Sequence, residues 1–228
     1  MTDYKKYIGE FGTRARIKAL EKKLAKEYGP FKPKPLRDPL DELILTVLSQ
    51  NTNDRNSFRA FENMKEHFRS WDDVAGAPAK KLENIIRVGG LANSKSKYIK
   101  GILRAIKEQH GDYKLNHLKN MPVKDALDEL TSLPGVGIKT ASCVLLFSFG
   151  KPSMPVDTHV GRLARRLGLA VKNATADQIY DVLMALTPEE LIYPFHLYLI
   201  RHGRVVCKSQ RPQCSICVIS KLCPSRIQ

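Results

Sequence analysis

Residues 139–149, Lys-Thr-Ala-Ser-Cys-Val-Leu-Leu-Phe-Ser-Phe, are strongly apolar, and the run stops at Gly150. A helix that is apolar nearly all round is stable only when protein surrounds it, so this segment predicts a buried central helix with Gly150 as its C-terminal cap. Directly before it stands Leu133-Pro-Gly-Val-Gly-Ile-Lys139. Gly135 and Gly137, flanking Val136, let the backbone bend sharply and bring successive N–H groups close to an anion. The start of the helix adds a partial positive charge at the same place. The turn can therefore hold a phosphate, and Lys139 projects an amine beside whatever it holds. Lysine is one of the few side chains that attacks an electrophilic carbon directly.

The rest of the chain reads as all-α. Ile17, Leu20 and Leu24 recur at helical spacing within Arg14–Tyr28, and the run Gly29-Pro30-Phe31-Lys32-Pro33-Lys34-Pro35 then breaks that helix at a lobe boundary. Asp38-Pro39 offers an N-cap followed by proline at the first helical position. Leu40, Leu43, Ile44, Val47 and Leu48 supply the buried stripe of the helix it opens. Further helices are expected over 55–67, 79–88, 94–110, 123–132, 175–186 and 189–206. Another starts at Asp157, with Arg162, Arg165 and Arg166 on its outer face. Strand alternation is nearly absent. A chain of 228 residues has room for two lobes.

Lysine and arginine outnumber aspartate and glutamate by 38 to 23, and a net charge of +15 favours a polyanionic partner, nucleic acid first. The mainly apolar stretch 191–200 is interrupted by Pro194 and His196 and is too short to cross a bilayer. The start, Met-Thr-Asp-Tyr-Lys-Lys-Tyr, has no apolar run behind its charges. No signal peptide, transmembrane segment or membrane partner is expected, and the location is expected to be intracellular, cytoplasmic or with the nucleoid.

Four of the five cysteines fall in the last 22 residues. Cys207, Cys214, Cys217 and Cys223 follow a C-x6-C-x2-C-x5-C spacing, so four sulfurs can converge from a 17-residue loop. Four thiolates suit zinc or an iron-sulfur cluster, and spacing alone leaves that choice open. Lys208 and Arg211 lie between the first two ligands, where a metal-pinned loop would hold their cations ready for phosphates. Cys143, on the apolar central helix, reads as a small core residue. A free lysine is almost wholly protonated at neutral pH and needs help to lose its proton. Asp157, in Pro-Val-Asp-Thr-His, is the candidate acceptor, although by itself it reads first as an N-cap.

The order Leu-Pro-Gly-Val-Gly-Ile-Lys-Thr-Ala, Val-Asp-Thr-His-Val-Gly-Arg-Leu and C-x6-C-x2-C-x5-C resembles the endonuclease III branch of the helix-hairpin-helix DNA glycosylases, from about Leu40 to Cys223. The resemblance implies a six-helix barrel lobe over 32–150 and a second lobe built from 1–31 with 151–228. It also implies a [4Fe-4S] cluster in the 207–223 loop and double-stranded DNA with a damaged base or abasic site in the cleft, bound by a monomer. Matched by position, Lys139 is the nucleophile and Asp157 the assisting carboxylate of a bifunctional glycosylase/AP lyase of base excision repair. The base removed is expected to be an oxidised pyrimidine. Leu91 matches an intercalating leucine. Gln50 and Asn51 fall where a gap-filling glutamine is expected, with Asn51 at the matched place and Gln50 one before it. Mismatch-specific and other damaged-base glycosylases share the fold but usually lack this lysine. A non-catalytic, metal-stabilised DNA-binding module would share the charge, the hairpin and the cysteines.

Overall fold

The computed structural model describes residues 3–31 and 36–227. Among them the regular elements are helical, apart from an isolated antiparallel bridge between Ile8 and Ala170. In chain order the α-helices are α1 (Arg14–Tyr28), α2 (Pro39–Leu48), α3 (Asp54–His67), α4 (Trp71–Gly76), α5 (Ala79–Ile85), α6 (Ala92–His110), α7 (Val123–Thr131), α8 (Ile138–Phe149), α9 (Thr158–Arg166), α10 (Ala176–Leu186) and α11 (Glu189–Val205). Short 3₁₀ turns include Arg87–Gly89 and Asn116–Lys119. The helices gather into two compact units, Leu36–Lys151 and Met1–Pro35 with Pro152–Gln228. Residues 32–35 of the expected proline-rich break lie outside the described residues.

The unit Leu36–Lys151 is built around α8. Thr140 to Leu146 are all buried, as an apolar helix without a polar face requires, and α2 packs along α8. The expected stripe Leu40, Leu43, Ile44, Val47 and Leu48 belongs to one core with Ile99, Ile102, Leu103, Leu130, Val136 and Leu145. Local chemistry fixes the helix ends. Asp38 accepts the Leu40 and Asp41 N–H groups at 3.0 Å, with Pro39 in the first turn. Helix α4 has no counterpart in the sequence expectations. Six residues are too few to show a period, but a reciprocal capping box between Ser70 and Asp73 holds it, and Val74 is buried beneath it.

In the other unit, Ile17, Leu20 and Leu24 of α1 are buried, and α1 packs on α11. The Tyr198 hydroxyl donates to the Gly29 carbonyl at 3.0 Å where α1 ends. The arginines of α9 depart from the outward placement expected of them: all three are partly buried and grip backbone carbonyls. Arg162 reaches Cys207 O at 3.0 Å and Gly203 O at 2.8 Å, while Arg166 reaches Lys208 O at 2.7 Å and Ser209 O at 2.9 Å. They anchor the loop that follows α11. Among the described residues no helix is long and apolar enough to cross a membrane.

Candidate active site

The hairpin between α7 and α8 is a built turn. Val136 N donates to Leu133 O at 3.2 Å, Pro134 and Gly135 take the two central positions, and Gly135 has φ +73°. Proline first and a left-handed glycine second is the signature of a type II turn. A Cβ on Gly135 would lie 2.5 Å from the Tyr98 ring, so both backbone and packing demand glycine there. Gly137 differs: its φ is −98° and nothing lies within 4 Å of where its Cβ would be. Nothing among the described residues requires a glycine at 137, and the space beside it is open. Val136 points inward and is buried, which makes it the hairpin's packing anchor.

Gly137 is the N-cap of α8, so Ile138 and Lys139 begin the helix, and their N–H groups belong to the four that a helix start leaves without intrahelical partners. The Lys139 side chain is half-buried. The buried Glu42 carboxylate lies close enough to feel the Lys139 charge. Burial raises Glu42 above the ordinary carboxylate range, and hydrogen bonds from Arg37 at 2.7 Å and Thr46 at 3.3 Å, together with Lys139, oppose that rise.

Two loops accompany the hairpin within this unit. Gln50 Nε2 donates to Gly135 O at 3.2 Å, which ties the α2–α3 loop to the glycine turn. Asn51, next along, is exposed with φ +52°. Leu91 stands at the start of α6 with φ +47° and is 57% exposed, not the buried loop leucine its type suggests. Lys95, which the sequence reading passed over, joins these loops from below. It is fully buried, and its ammonium donates to Leu48 O and Gly89 O at 2.7 Å each. Those carbonyls close α2 and the 3₁₀ turn before Leu91, so one cation caps two helical C-termini. Burial lowers its pKa from 10.5. A lysine at a helix position otherwise filled by core residues, four places before Ile99, is the sequence signal that could have found it.

Asp157 belongs to the other unit. It is the N-cap of α9, accepting Val160 N at 2.8 Å through Oδ1, and Oδ2 takes no part in that cap. Pro155 and Val156 ahead of it are buried, which fixes where the carboxylate emerges. The N-cap reading made of Asp157 from sequence is therefore the one the geometry shows, with Oδ1 as the capping oxygen.

The four cysteines of the C-terminal loop line one recess of about 430 Å³, counting the part open to solvent, together with Leu163, Leu167, Val206 and Ile219. None forms a disulfide. Burial and the neighbouring sulfurs push the Cys217 thiol up to about 11, so a bound cation would be needed to hold that group as a thiolate. Donors already face two sulfurs. Arg166 Nη1 stands 3.3 Å from Cys207 Sγ, and His202 Nε2 stands 3.3 Å from Cys217 Sγ. Burial lowers His202 to about 4 and raises Tyr28 to about 12, so both are neutral at pH 7. The Tyr28 hydroxyl can then donate to His202 Nδ1 across 2.7 Å, leaving the Nε2–H for sulfur. The cysteines are not among the three-ligand groups, within the described residues, whose atoms all lie within 4.8 Å of one another. A tetrahedral zinc ion with bonds of about 2.3 Å would draw its sulfurs to about 3.8 Å apart. Lys208 and Arg211 stand exposed on this loop, Arg211 with φ +50°.

A profile of the HhH-GPD superfamily of base excision DNA repair proteins matches residues 44–189. Endonuclease III of Thermotoga maritima is 38% identical over 186 residues, spanning 82% of this chain and 83% of that protein. The chain belongs to the endonuclease III family. A putative DNA glycosylase of Arabidopsis thaliana is 42% identical over 166 residues, 73% of this chain, and this chain spans 57% of that protein's length. Among solved structures, a non-covalent endonuclease III–DNA complex superposes with a TM-score of 0.81 at 31% identity, covering 93% of this chain and 96% of that one. A trapped covalent endonuclease III–DNA intermediate matches equally well, with the same TM-score, identity and coverage. A thermostable thymine-DNA glycosylase, at 22% identity and a TM-score of 0.75, shares the fold.

Proposed function

We propose that this endonuclease III family member removes a damaged base, an oxidised pyrimidine, from double-stranded DNA and then cuts the strand, with Lys139 as nucleophile and Asp157 as the assisting carboxylate. The observation that carries the reading is the position of Lys139: two residues after Gly137, the open glycine that follows the type II turn, in the first turn of a buried helix. A phosphate seated on the N–H groups of that helix start brings the adjoining sugar to the lysine amine.

The damaged nucleotide leaves the stack so that its sugar can be reached. The neutral amine of Lys139 attacks C1′, the C1′–N bond breaks, and the base leaves with its electron pair. Asp157 accepts the lysine proton or balances positive charge on the sugar. The nitrogen lone pair then forms the C1′=N bond as the C1′–O4′ bond breaks and O4′ takes a proton, which opens the ring and gives the protonated Schiff base. Removal of a C2′ proton then expels the 3′ phosphate by β-elimination, and water releases Lys139. Leu91 and Asn51, both exposed and both left-handed, enter the gap left in the duplex, while Gln50 holds its loop against the hairpin.

Cys207, Cys214, Cys217 and Cys223 would hold a [4Fe-4S] cluster, whose part here is to pin the loop. No three of the four sulfurs lie all within 4.8 Å of one another, and this, the apolar walls and the N–H donors facing two sulfurs support that choice over a single zinc ion. Lys208 and Arg211 on the pinned loop grip phosphates.

Borohydride trapping on duplexes carrying an abasic site or an oxidised pyrimidine tests the assignment. Wild type should form a covalent adduct, and Lys139→Gln should form none while still binding DNA. Trapping by Lys139→Gln at the wild-type rate would overturn the mechanism.

A further inference from the structure

His110, His117 and Glu129 meet at the opposite end of α6 from Leu91. His110 is the last residue of α6, and Gly111, with φ +76°, turns the chain back beneath it. His117 sits in the 3₁₀ turn Asn116–Lys119 and Glu129 in α7. The two Nε2 atoms stand 3.4 Å and 2.6 Å from the same oxygen, Glu129 Oε1. The imidazole rings face each other with centroids 4.3 Å apart and a tilt of 35°. All three ligand atoms lie within 4.8 Å of one another.

We propose that this cluster is a binding site for a divalent transition-metal ion, zinc first. Two imidazole nitrogens and one carboxylate oxygen are a zinc ligand set, and bonds of about 2.0–2.1 Å in a tetrahedron place ligand atoms about 3.4 Å apart. The His110 spacing of 3.4 Å matches that value and the His117 spacing of 2.6 Å falls short of it, so small side-chain rotations close the site. The side chains of His110, His117 and Glu129 are 26%, 35% and 25% exposed, which gives the ion an entry path and water a fourth position.

The ion would sit at the far end of α6 from the Leu91 loop. Helix α6 runs for 19 residues, about 28 Å, between Leu91 and His110. The ion acts as a clip joining the end of α6, the 3₁₀ turn and α7. Glu129 is four residues ahead of Leu133, where the glycine turn begins, so the clip secures the helix on which the hairpin is mounted.

The test uses full-length, cluster-loaded protein titrated with zinc against a chromophoric zinc indicator, with iron content and visible absorbance followed throughout. The site predicts one zinc equivalent bound with iron unchanged. It also predicts a melting temperature higher by about 5–10 °C when free zinc is a hundredfold above its dissociation constant. His117→Gln and Glu129→Gln should each abolish both effects, and cobalt bound to wild type should give the visible bands of a tetrahedral N/O site. Zinc binding that survives His117→Gln, binding that appears only as iron is lost, or no binding at micromolar zinc would each overturn the proposal.

Discussion

Replacing Lys95 with methionine removes a charge and keeps most of the volume. In the native chain its ammonium donates to Leu48 O and Gly89 O at 2.7 Å each, with the whole side chain buried. The variant leaves two buried carbonyls unpaired, at about 1–3 kcal/mol each, but it no longer has to bury a cation. The lowered pKa of Lys95 shows that its hydrogen bonds do not fully compensate the loss of water, so the net penalty should fall near the low end, about 2 kcal/mol. In a chain of this size that lowers the melting temperature by about 4–8 °C. The pH dependence carries a definite sign. Because the folded-state pKa lies below 10.5, the unfolded chain binds more protons between the two values, and native stability rises with pH across that window. The gap between wild type and Lys95→Met should therefore widen towards pH 10. The functional effect is selective, because the two carbonyls anchor the loops that carry Asn51 and Leu91. Single-turnover base removal on duplex DNA should fall at least tenfold, whereas trapping on a single-stranded abasic oligonucleotide, which needs no base extruded, should stay within about twofold. Unchanged melting, or equal losses on both substrates, would refute the reasoning.

Gly135→Ala should cost about 2 kcal/mol or more in urea denaturation, from a left-handed φ and a Cβ 2.5 Å from Tyr98. Gly137→Ala meets no atom within 4 Å, so it should cost at most about 1 kcal/mol as a poorer N-cap, yet still weaken duplex affinity in a binding titration. Asp157→Asn keeps a good N-cap and should hold stability within about 0.5 kcal/mol while slowing base removal about a hundredfold in single-turnover assays. Leu91→Gly relieves a left-handed leucine and should leave the melting temperature nearly unchanged, but it should lower activity on duplex far more than on single-stranded abasic DNA.

Features written in local chemistry were legible in the sequence. The apolar run behind Gly137, the Asp38-Pro39 start and the cysteine spacing each have a nearby physical cause, and each element stands where that cause puts it. What stayed hidden depends on atoms distant along the chain. Lys95 looks like one more cation among 38 basic residues until Leu48, 47 positions earlier, is folded onto it. The arginines of α9 look solvent-facing on a helical wheel because a wheel does not show carbonyls some 40 residues later, at Gly203, Cys207 and Lys208. The pairing of two histidines with Glu129 requires the left-handed turn at Gly111.

Backbone strain adds an independent line to the functional assignment. Among the described residues, the non-glycine positions with positive φ are Asn51, Leu91 and Arg211. Each was singled out from sequence as a DNA contact, on grounds that did not involve backbone geometry. For an ordinary side chain such a conformation costs about 1–2 kcal/mol, and glycine would avoid it. Asparagine tolerates it; leucine and arginine do not. All three side chains are exposed, so burial of the side chain does not offset the strain. Strain kept at exposed side chains points to a role outside the folded chain: glycine would ease the backbone but would leave nothing to enter a duplex or to grip a phosphate. Gly137 makes the same point from the other side, since nothing in the described chain fills the place of its missing side chain, where the proposed function seats the DNA backbone; Gly135, by contrast, is held to glycine by its own φ and by the Tyr98 ring.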